Sequence, residues 1–110
     1  MAPYTSVAFF TFSDEESKAQ FLEGLNKLIS FVEKEEPDTL VYTFLQDKDN
    51  SLAMMAYEAW TDEDAFNAHC VAEPFKEFFG ILGPLLEAGK VKIESKFSDK
   101  EMICGFAARK

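Results

Sequence analysis

The hydrophobic pattern of the first forty residues predicts a strand followed by a helix. From Tyr4 to Phe12 apolar side chains occupy both parities among strong β-formers, which is typical of a strand buried on both faces. Apolar residues then recur at helical spacing, namely Phe21, Leu22, Leu25, Leu28, Ile29 and Val32. Ser13 and Glu16 have the spacing of a capping box, so we expect Ser13 to cap this helix and the helix to end before Pro37.

The middle of the chain predicts a β-hairpin. Two β-rich runs, Leu40 to Gln46 and Leu52 to Trp60, flank a stretch of five turn-forming residues at positions 47–51. A connection of this length is typical of a hairpin, so the two runs are expected to pair antiparallel.

A second helical region follows the hairpin. Thr61 is the expected N-cap, and the apolar face of the first segment carries Ala65, Phe66 and His69. The pair Glu73-Pro74 restarts the helix over residues 75–86, because proline is favoured in the first turn. The region is therefore expected to form two short helices or one kinked helix. Gly80, Gly83 and Pro84 are expected to weaken its end.

The last part of the chain predicts a strand with one solvated face. Apolar or small residues at 91, 93, 95 and 97 alternate with charged residues at 92, 94 and 96. The tail from Met102 to Ala108 is expected to add a short fifth strand.

The order β-α-β-β-α-β predicts an α+β, ferredoxin-like fold with a four-stranded antiparallel sheet and its helices on one face. We expect a single domain over residues 1–110, in which residues 98–110 form a C-terminal extension. The first and third strands are apolar on both parities, although the helices cover one face only. Burial of apolar surface contributes about 25 cal/mol per Å², so leaving the second face of the sheet exposed to water would be unfavourable. A second copy of the chain can cover this face, which predicts a homodimer with its sheets face to face.

Composition excludes several classes of partner and cofactor. Twenty acidic and eleven basic side chains give a net charge of −9, so nucleic acid and anionic membranes are poor partners. Cys70 and Cys104 are isolated, which indicates inert buried thiols in a reduced, cytoplasmic protein. With one histidine and no glycine-rich phosphate loop, we expect neither a zinc site nor a bound nucleotide. If the protein is an enzyme, its own side chains and its substrate must therefore supply the chemistry without a cofactor.

Polar residues on the apolar elements are the candidates for chemistry. Glu58 and Trp60 end the third predicted strand on one parity, and Tyr57 lies between them on the other. His69 shares the helix face that turns toward the sheet, so Trp60 and His69 are expected to flank one cavity. Two of these candidates also have a purely structural interpretation. Trp60 can be part of the packed core, and Glu58 can pair with a residue on a neighbouring strand.

The segment from Glu58 to His69 reads EAWTDEDAFNAH and is followed by Pro74-Phe75-Lys76. This pattern resembles the antibiotic biosynthesis monooxygenase domain family, which carries an ExW…D…A[FL]xAH…FK signature. The family's earlier Glu-Pro-Gly-Thr-Leu-x-Tyr segment stands here at residues 36–42, with Asp38 in place of the usual glycine. The resemblance spans about residues 4–97 and implies a dimeric α+β barrel. In the better-known members it implies a cofactor-independent oxygenation of electron-rich aromatics such as anthrones and quinols.

The resemblance also implies roles for the candidate residues. His69 becomes the proton acceptor, since its unperturbed pKa suits a base near neutral pH, and Trp60 becomes a second catalytic residue at the pocket wall. Tyr42, Tyr57, Glu58 and Phe66 are the expected substrate-binding residues. Without flavin or metal the electrons for dioxygen come from the substrate, which must therefore be a small lipophilic or aromatic molecule that forms an electron-rich anion.

Two other functions remain open at this point. A non-oxidative dimeric barrel can bind a small molecule or respond to stress. An isomerase can use the same base on an enolisable ketone. Oxygen uptake separates both from the monooxygenase.

Overall fold

The structure is a computed structural model that describes residues 2–105, 107 and 109. Its elements follow the predicted order, with the second helical region divided in two. In chain order they are β1 (Tyr4–Phe12), α1 (Glu15–Glu35), β2 (Thr39–Gln46), β3 (Ala53–Trp60), α2 (Glu63–Val71), α3 (Glu73–Glu87) and β4 (Val91–Ser98).

The four strands form one antiparallel sheet in the order β2-β3-β1-β4, which is the predicted ferredoxin-like topology. The predicted hairpin is confirmed, because β2 and β3 are neighbours. In the register of the sheet, Glu58 in the third strand lies between Tyr42 of the second and Ser6 of the first. Side chains at these three positions point to the same face, so the sheet itself assembles a small polar group.

The helices and one sheet face enclose the hydrophobic core. Phe21 and Leu28 from α1 are each 1% exposed, and they pack with Phe10 and Phe12 from β1 and Phe78 from α3. Along β1 the positions alternate strictly between buried and exposed from residue 6 to residue 12. Within one chain, therefore, only one face of β1 is buried, and the expected burial of its other face depends on a partner.

Both helix caps lie one residue later than predicted. The N-cap of α1 is Asp14, whose carboxylate accepts a hydrogen bond from the amide of Ser17 at 2.7 Å. The N-cap of α2 is Asp62, which accepts from the amide of Ala65 at 2.8 Å. The prediction of Ser13 and Thr61 as caps was wrong, because aspartate caps equally well and its negative charge also suits the positive end of the helix dipole.

The second helical region is two helices, since Ala72 adopts an extended conformation between α2 and α3. Pro74 lies in the first turn of α3, as the sequence predicts. Pro84 does not end α3, which continues to Glu87. A proline in the last turn removes a single helical hydrogen bond, so the helix tolerates it there.

The tail beyond β4 corrects two expectations. Cys104 is exposed, whereas a buried thiol was expected. Residues 102–105 and 107 contain no strand, and Phe106 and Ala108, which the expected fifth strand includes, lie outside the described residues. In the part of the chain that the structure describes, every helix is too short or too polar to cross a bilayer.

Candidate active site

A cavity of about 210 Å³ lies between the sheet and the helices. All four strands and all three helices contribute to its wall, which is mainly aromatic. The aromatic residues are Phe10, Phe21, Tyr42, Phe44, Trp60, Phe66, Phe75, Phe78, Phe79 and Phe97. A few polar side chains interrupt this apolar lining, namely Ser6, Tyr42, Glu58, His69, Cys70 and Ser95. This composition is typical of a site that binds a small, largely apolar molecule and orients it with a few polar contacts.

Trp60 lines this cavity, and its buried indole N–H has no partner in the described part of the chain. Its ring is 1% exposed and packs against Phe66, with ring centroids 4.9 Å apart, and against His69, with centroids 5.6 Å apart. The indole Nε1 has no hydrogen-bond partner among the described residues. A buried donor without a partner costs about 1–3 kcal/mol, so this position favours a ligand or water that accepts a hydrogen bond.

Glu58 is the ionisable group of the cavity floor. It points to the cavity because it shares the parity of Trp60 on β3. Burial raises the pKa of its carboxyl from 4.5 to about 7. No lysine or arginine lies among the described residues of the cavity wall, so no cation counteracts this effect. Glu58 can therefore both accept and donate a proton near neutral pH.

His69 is the centre of a hydrogen-bonded chain at one side of the cavity. Its ring is 2% exposed, and Nδ1 lies 2.8 Å from Oε1 of Glu36 at the C-terminal end of α1. The Nε2 atom lies 3.4 Å from the hydroxyl of Tyr42 on β2. Burial, first of all, raises the pKa of that phenol, and the nearby Glu58 and Glu36 raise it further. Tyr42 therefore remains protonated at neutral pH.

No group of three or more His, Cys, Asp or Glu side chains in the described part of the chain is arranged to hold a metal ion. Cys70 lines the cavity, and burial raises the pKa of its thiol, which keeps it in the less reactive neutral form.

The comparison with protein families identifies this arrangement. The model of the antibiotic biosynthesis monooxygenase family matches residues 3–80, which include every element from β1 to the first half of α3. The chain belongs to this family. A sequence comparison with curated proteins finds no significant match.

Several solved structures have a similar fold. SnoaB from Streptomyces nogalater, described as a cofactor-independent oxygenase, is 21% identical with a TM-score of 0.69, and the match covers 100% of this chain and 96% of that one. PA3566 from Pseudomonas aeruginosa is 26% identical with a TM-score of 0.67, covering 89% and 95% of the two chains. A conserved protein from Methanosarcina mazei is 24% identical with a TM-score of 0.71, covering 91% and 95%.

Five of the six site residues that the sequence suggested line the same cavity of this antibiotic biosynthesis monooxygenase domain. They are Tyr42, Glu58, Trp60, Phe66 and His69. Tyr57 is the exception, because its position on β3 points to the opposite face of the sheet, where its side chain is 45% exposed. Tyr57 therefore does not line the cavity within one chain, and a substrate-binding role for it stays a prediction.

Glu36 is the site residue that sequence reasoning missed. It stands at the start of the family segment at residues 36–42, which ends at Tyr42, and both contact His69. The co-occurrence of Glu36 and Tyr42 in that segment was the available signal. Their distance from His69 along the chain, however, is 33 and 27 residues, so the contacts exist only in the folded protein.

Proposed function

We propose that this chain is a cofactor-independent monooxygenase that oxidises a small, electron-rich aromatic molecule carrying an acidic C–H or O–H group. Membership of the antibiotic biosynthesis monooxygenase family and the similarity to SnoaB support this proposal. The observation that carries it is the position of Glu58, a carboxyl with a pKa of about 7 in an aromatic cavity, two residues from the unpaired indole N–H of Trp60. A base and a hydrogen-bond donor are the two groups that the formation of a substrate anion requires.

The proposed reaction needs no electrons from the protein. Glu58 takes a proton from a CH₂ group of the substrate, and the resulting anion is stabilised by the N–H of Trp60. The anion transfers electrons to dioxygen and forms a C–O bond, which gives a peroxide. Glu58 returns its proton to the peroxide, which becomes a hydroperoxide. The deprotonated Glu58 then takes the remaining hydrogen of the same carbon as a proton, the electrons of that C–H bond form the C=O bond, and the O–O bond breaks. The leaving hydroxide accepts this proton from Glu58 and departs as water. The CH₂ carbon becomes a carbonyl, so one oxygen atom enters the product, the other enters water, and all four electrons come from the substrate.

We assign the proton-accepting role to Glu58, whereas the sequence favoured His69. Both ring nitrogens of His69 lie within hydrogen-bond distance of protein groups, Glu36 on one side and Tyr42 on the other. Glu58 has a side chain directed into the cavity and a pKa suited to the step.

Cavity size and charge limit the substrate. An apolar cavity of about 150 Å³ holds one benzene molecule, so about 210 Å³ accommodates one or two fused rings. The carboxyl of Glu58 and the absence of cationic side chains from the described wall oppose a substrate with its own carboxylate. We therefore expect neutral mono- and bicyclic substrates to be preferred over tricyclic or anionic ones.

Oxygen consumption with a panel of one-, two- and three-ring hydroquinones and cyclic aromatic ketones tests the proposal. Each compound is compared with its carboxylated form, and autoxidation without protein is subtracted. Glu58→Gln should lower turnover by roughly 10²–10⁴-fold, because it removes the base and keeps the shape. Trp60→Phe should lower kcat and also raise KM, because the lost N–H stabilises the substrate anion as well as the bound substrate.

Two results would contradict the proposal. Folded Glu58→Gln protein with full oxygen uptake would exclude Glu58 as the base. Exchange of substrate hydrogen for deuterium without any oxygen uptake would favour the isomerase, which uses the same carboxyl on an enolisable ketone.

A further inference from the structure

The hydrogen bonds around Glu36 fix the position of a proton on His69. The Oε1 atom of Glu36 accepts a hydrogen bond from the hydroxyl of Thr39 at 3.0 Å, and the same atom lies 2.8 Å from Nδ1 of His69. An ionised carboxylate has acceptors only, so Nδ1 must carry the hydrogen of this second contact. In the neutral imidazole this places the single hydrogen on Nδ1 and leaves a free lone pair on Nε2.

This form of His69 determines the direction of the next hydrogen bond. In the neutral Nδ1–H form Nε2 has no hydrogen, so the hydroxyl of Tyr42 is the donor across the 3.4 Å contact. A phenol has one hydrogen to donate. When that hydrogen is donated to His69, the Tyr42 oxygen has only lone pairs left. It can therefore only accept a hydrogen bond from a ligand in the cavity that Tyr42 lines.

We propose that Glu36 is a positioning residue that sets the direction of the Glu36–His69–Tyr42 chain, so that Tyr42 offers the cavity a hydrogen-bond acceptor and selects ligands with a hydroxyl donor. The chain and its direction are independent of the oxidation chemistry, and the substrate preference rests on the proposed function. Trp60 offers the opposite polarity, since its free N–H is a donor. The favoured ligand therefore carries a hydroxyl group near Tyr42 and an acceptor oxygen near Trp60.

The first test reads the position of the proton on His69 directly. His69 is the only histidine of the chain, so its two ring nitrogens give unambiguous signals in a long-range ¹H–¹⁵N spectrum. The wild-type protein should show the neutral Nδ1–H form near neutral pH. Glu36→Ala should shift the signals toward the Nε2–H form, because Nδ1 loses its acceptor. Glu35→Ala removes the same charge from the exposed neighbouring position and should leave the spectrum unchanged.

The wild-type spectrum decides the matter even if a variant does not fold. An Nε2–H imidazole or a doubly protonated ring in the wild-type protein would overturn the proposal, because Tyr42 would then have no acceptor at Nε2. An unchanged Nδ1–H signal in folded Glu36→Ala protein would also overturn it, since Glu36 would not be what sets the direction.

The second test measures the ligand preference with β-naphthol and its methyl ether, which differ in the hydroxyl hydrogen. Calorimetric titration should give roughly 3- to 10-fold weaker binding of the ether to the wild-type protein, the effect of one neutral hydrogen bond. The indole N–H signal of Trp60, the only tryptophan, reports that the cavity is the site. Tyr42→Phe and Glu36→Ala should bring the two affinities close to each other, and Glu35→Ala should keep them apart.

Equal affinities for the two ligands in the wild-type protein, or no binding of either, would contradict the inferred selectivity. Failure of the oxygenase proposal gives a different pattern. In that case the Nδ1–H form and the preference for the hydroxyl are observed, and no member of the hydroquinone and ketone panel supports oxygen uptake.

Discussion

Glu58 connects the chemistry of the cavity to the stability of the protein. Its carboxyl is on an interior strand between Ser6 and Tyr42, and burial raises its pKa from 4.5 to about 7. The raised pKa means that the folded state disfavours the carboxylate relative to the unfolded chain. The raised pKa that suits Glu58 to its proposed role as a base thus lowers the stability of the folded protein, a combination that is common at functional sites.

The pH dependence of unfolding should reveal this effect. Between pH of about 4.5 and about 7 the folded protein holds a proton that the unfolded chain has lost, so the free energy of unfolding should decrease as the pH rises through this range. Glu58→Gln should remove that decrease and stabilise the protein above pH of about 7 by up to about 3 kcal/mol. Chemical denaturation of both proteins at a series of pH values measures this free energy of unfolding. The raised pKa of Glu58 would be contradicted if the free energy of unfolding of the wild-type protein rose over this pH range by the same amount as that of Glu58→Gln.

The candidate residues differ in how far the sequence alone located them. The two-residue period of a strand put Glu58 and Trp60 on one face, and the helical period turned His69 toward them, so these three were predictable from local pattern. The same period excludes Tyr57 from that face. The role of Glu36 was not predictable in this way, because its contact with His69 bridges the end of α1 and the middle of α2.

At the scale of elements, the sequence located every helix and strand to within about two residues but not the helix caps. The capping-box spacing favoured Ser13, and the structure uses Asp14, because several adjacent residues at such a start can cap and the tertiary position of the first turn selects one. The continuation of α3 through Pro84 has a similar cause, since packing of Leu85 in the core outweighs the loss of one hydrogen bond.

The N-cap of α1 gives a prediction at acidic pH. The backbone hydrogen bond from Ser17 is the main cause that lowers the pKa of Asp14 from 3.8 to about 2. Because the folded state favours the carboxylate, its stabilising effect should be present above pH of about 4 and should be lost as the pH falls to about 2.

Melting temperatures of wild-type and Asp14→Asn protein between these pH values test the effect. The variant keeps a capping side chain without the titrating group, so its melting temperature should fall less steeply on acidification. Asp49→Asn changes an exposed aspartate in the β2–β3 turn and should behave as the wild type does. Equal slopes in Asp14→Asn and wild type would show that the cap does not titrate in this range.

At the scale of the whole molecule, no helix among the described residues covers the second face of the sheet. Val7 and Phe9 of β1, Leu45 of β2 and Tyr57 of β3 are 39%, 52%, 53% and 45% exposed on that face. A contiguous apolar surface of this kind is typical of an association site. We therefore expect a homodimer in which the two open faces meet, as the burial argument from the sequence predicted.

Light scattering at micromolar concentration should give close to twice the mass of 12.5 kDa. Phe9→Lys should shift the protein toward monomer, because a charge in the centre of the face must be desolvated on association. Val71→Lys is the matched control on the helix side, where the side chain is 65% exposed and a cation suits the end of α2. A soluble wild-type monomer, or equal association of both variants, would contradict the expected interface.

Strand β3 offers a practical route to altered versions of this protein. Met54, Glu58 and Trp60 point inward, whereas Met55 and Tyr57 point outward. A combinatorial library restricted to the inward parity would vary selectivity while leaving the outer surface chemically intact, and one restricted to the outward parity would vary self-assembly. If the proposed substrate site and the expected dimer hold, the two parities of this eight-residue segment can be optimised in separate rounds of selection.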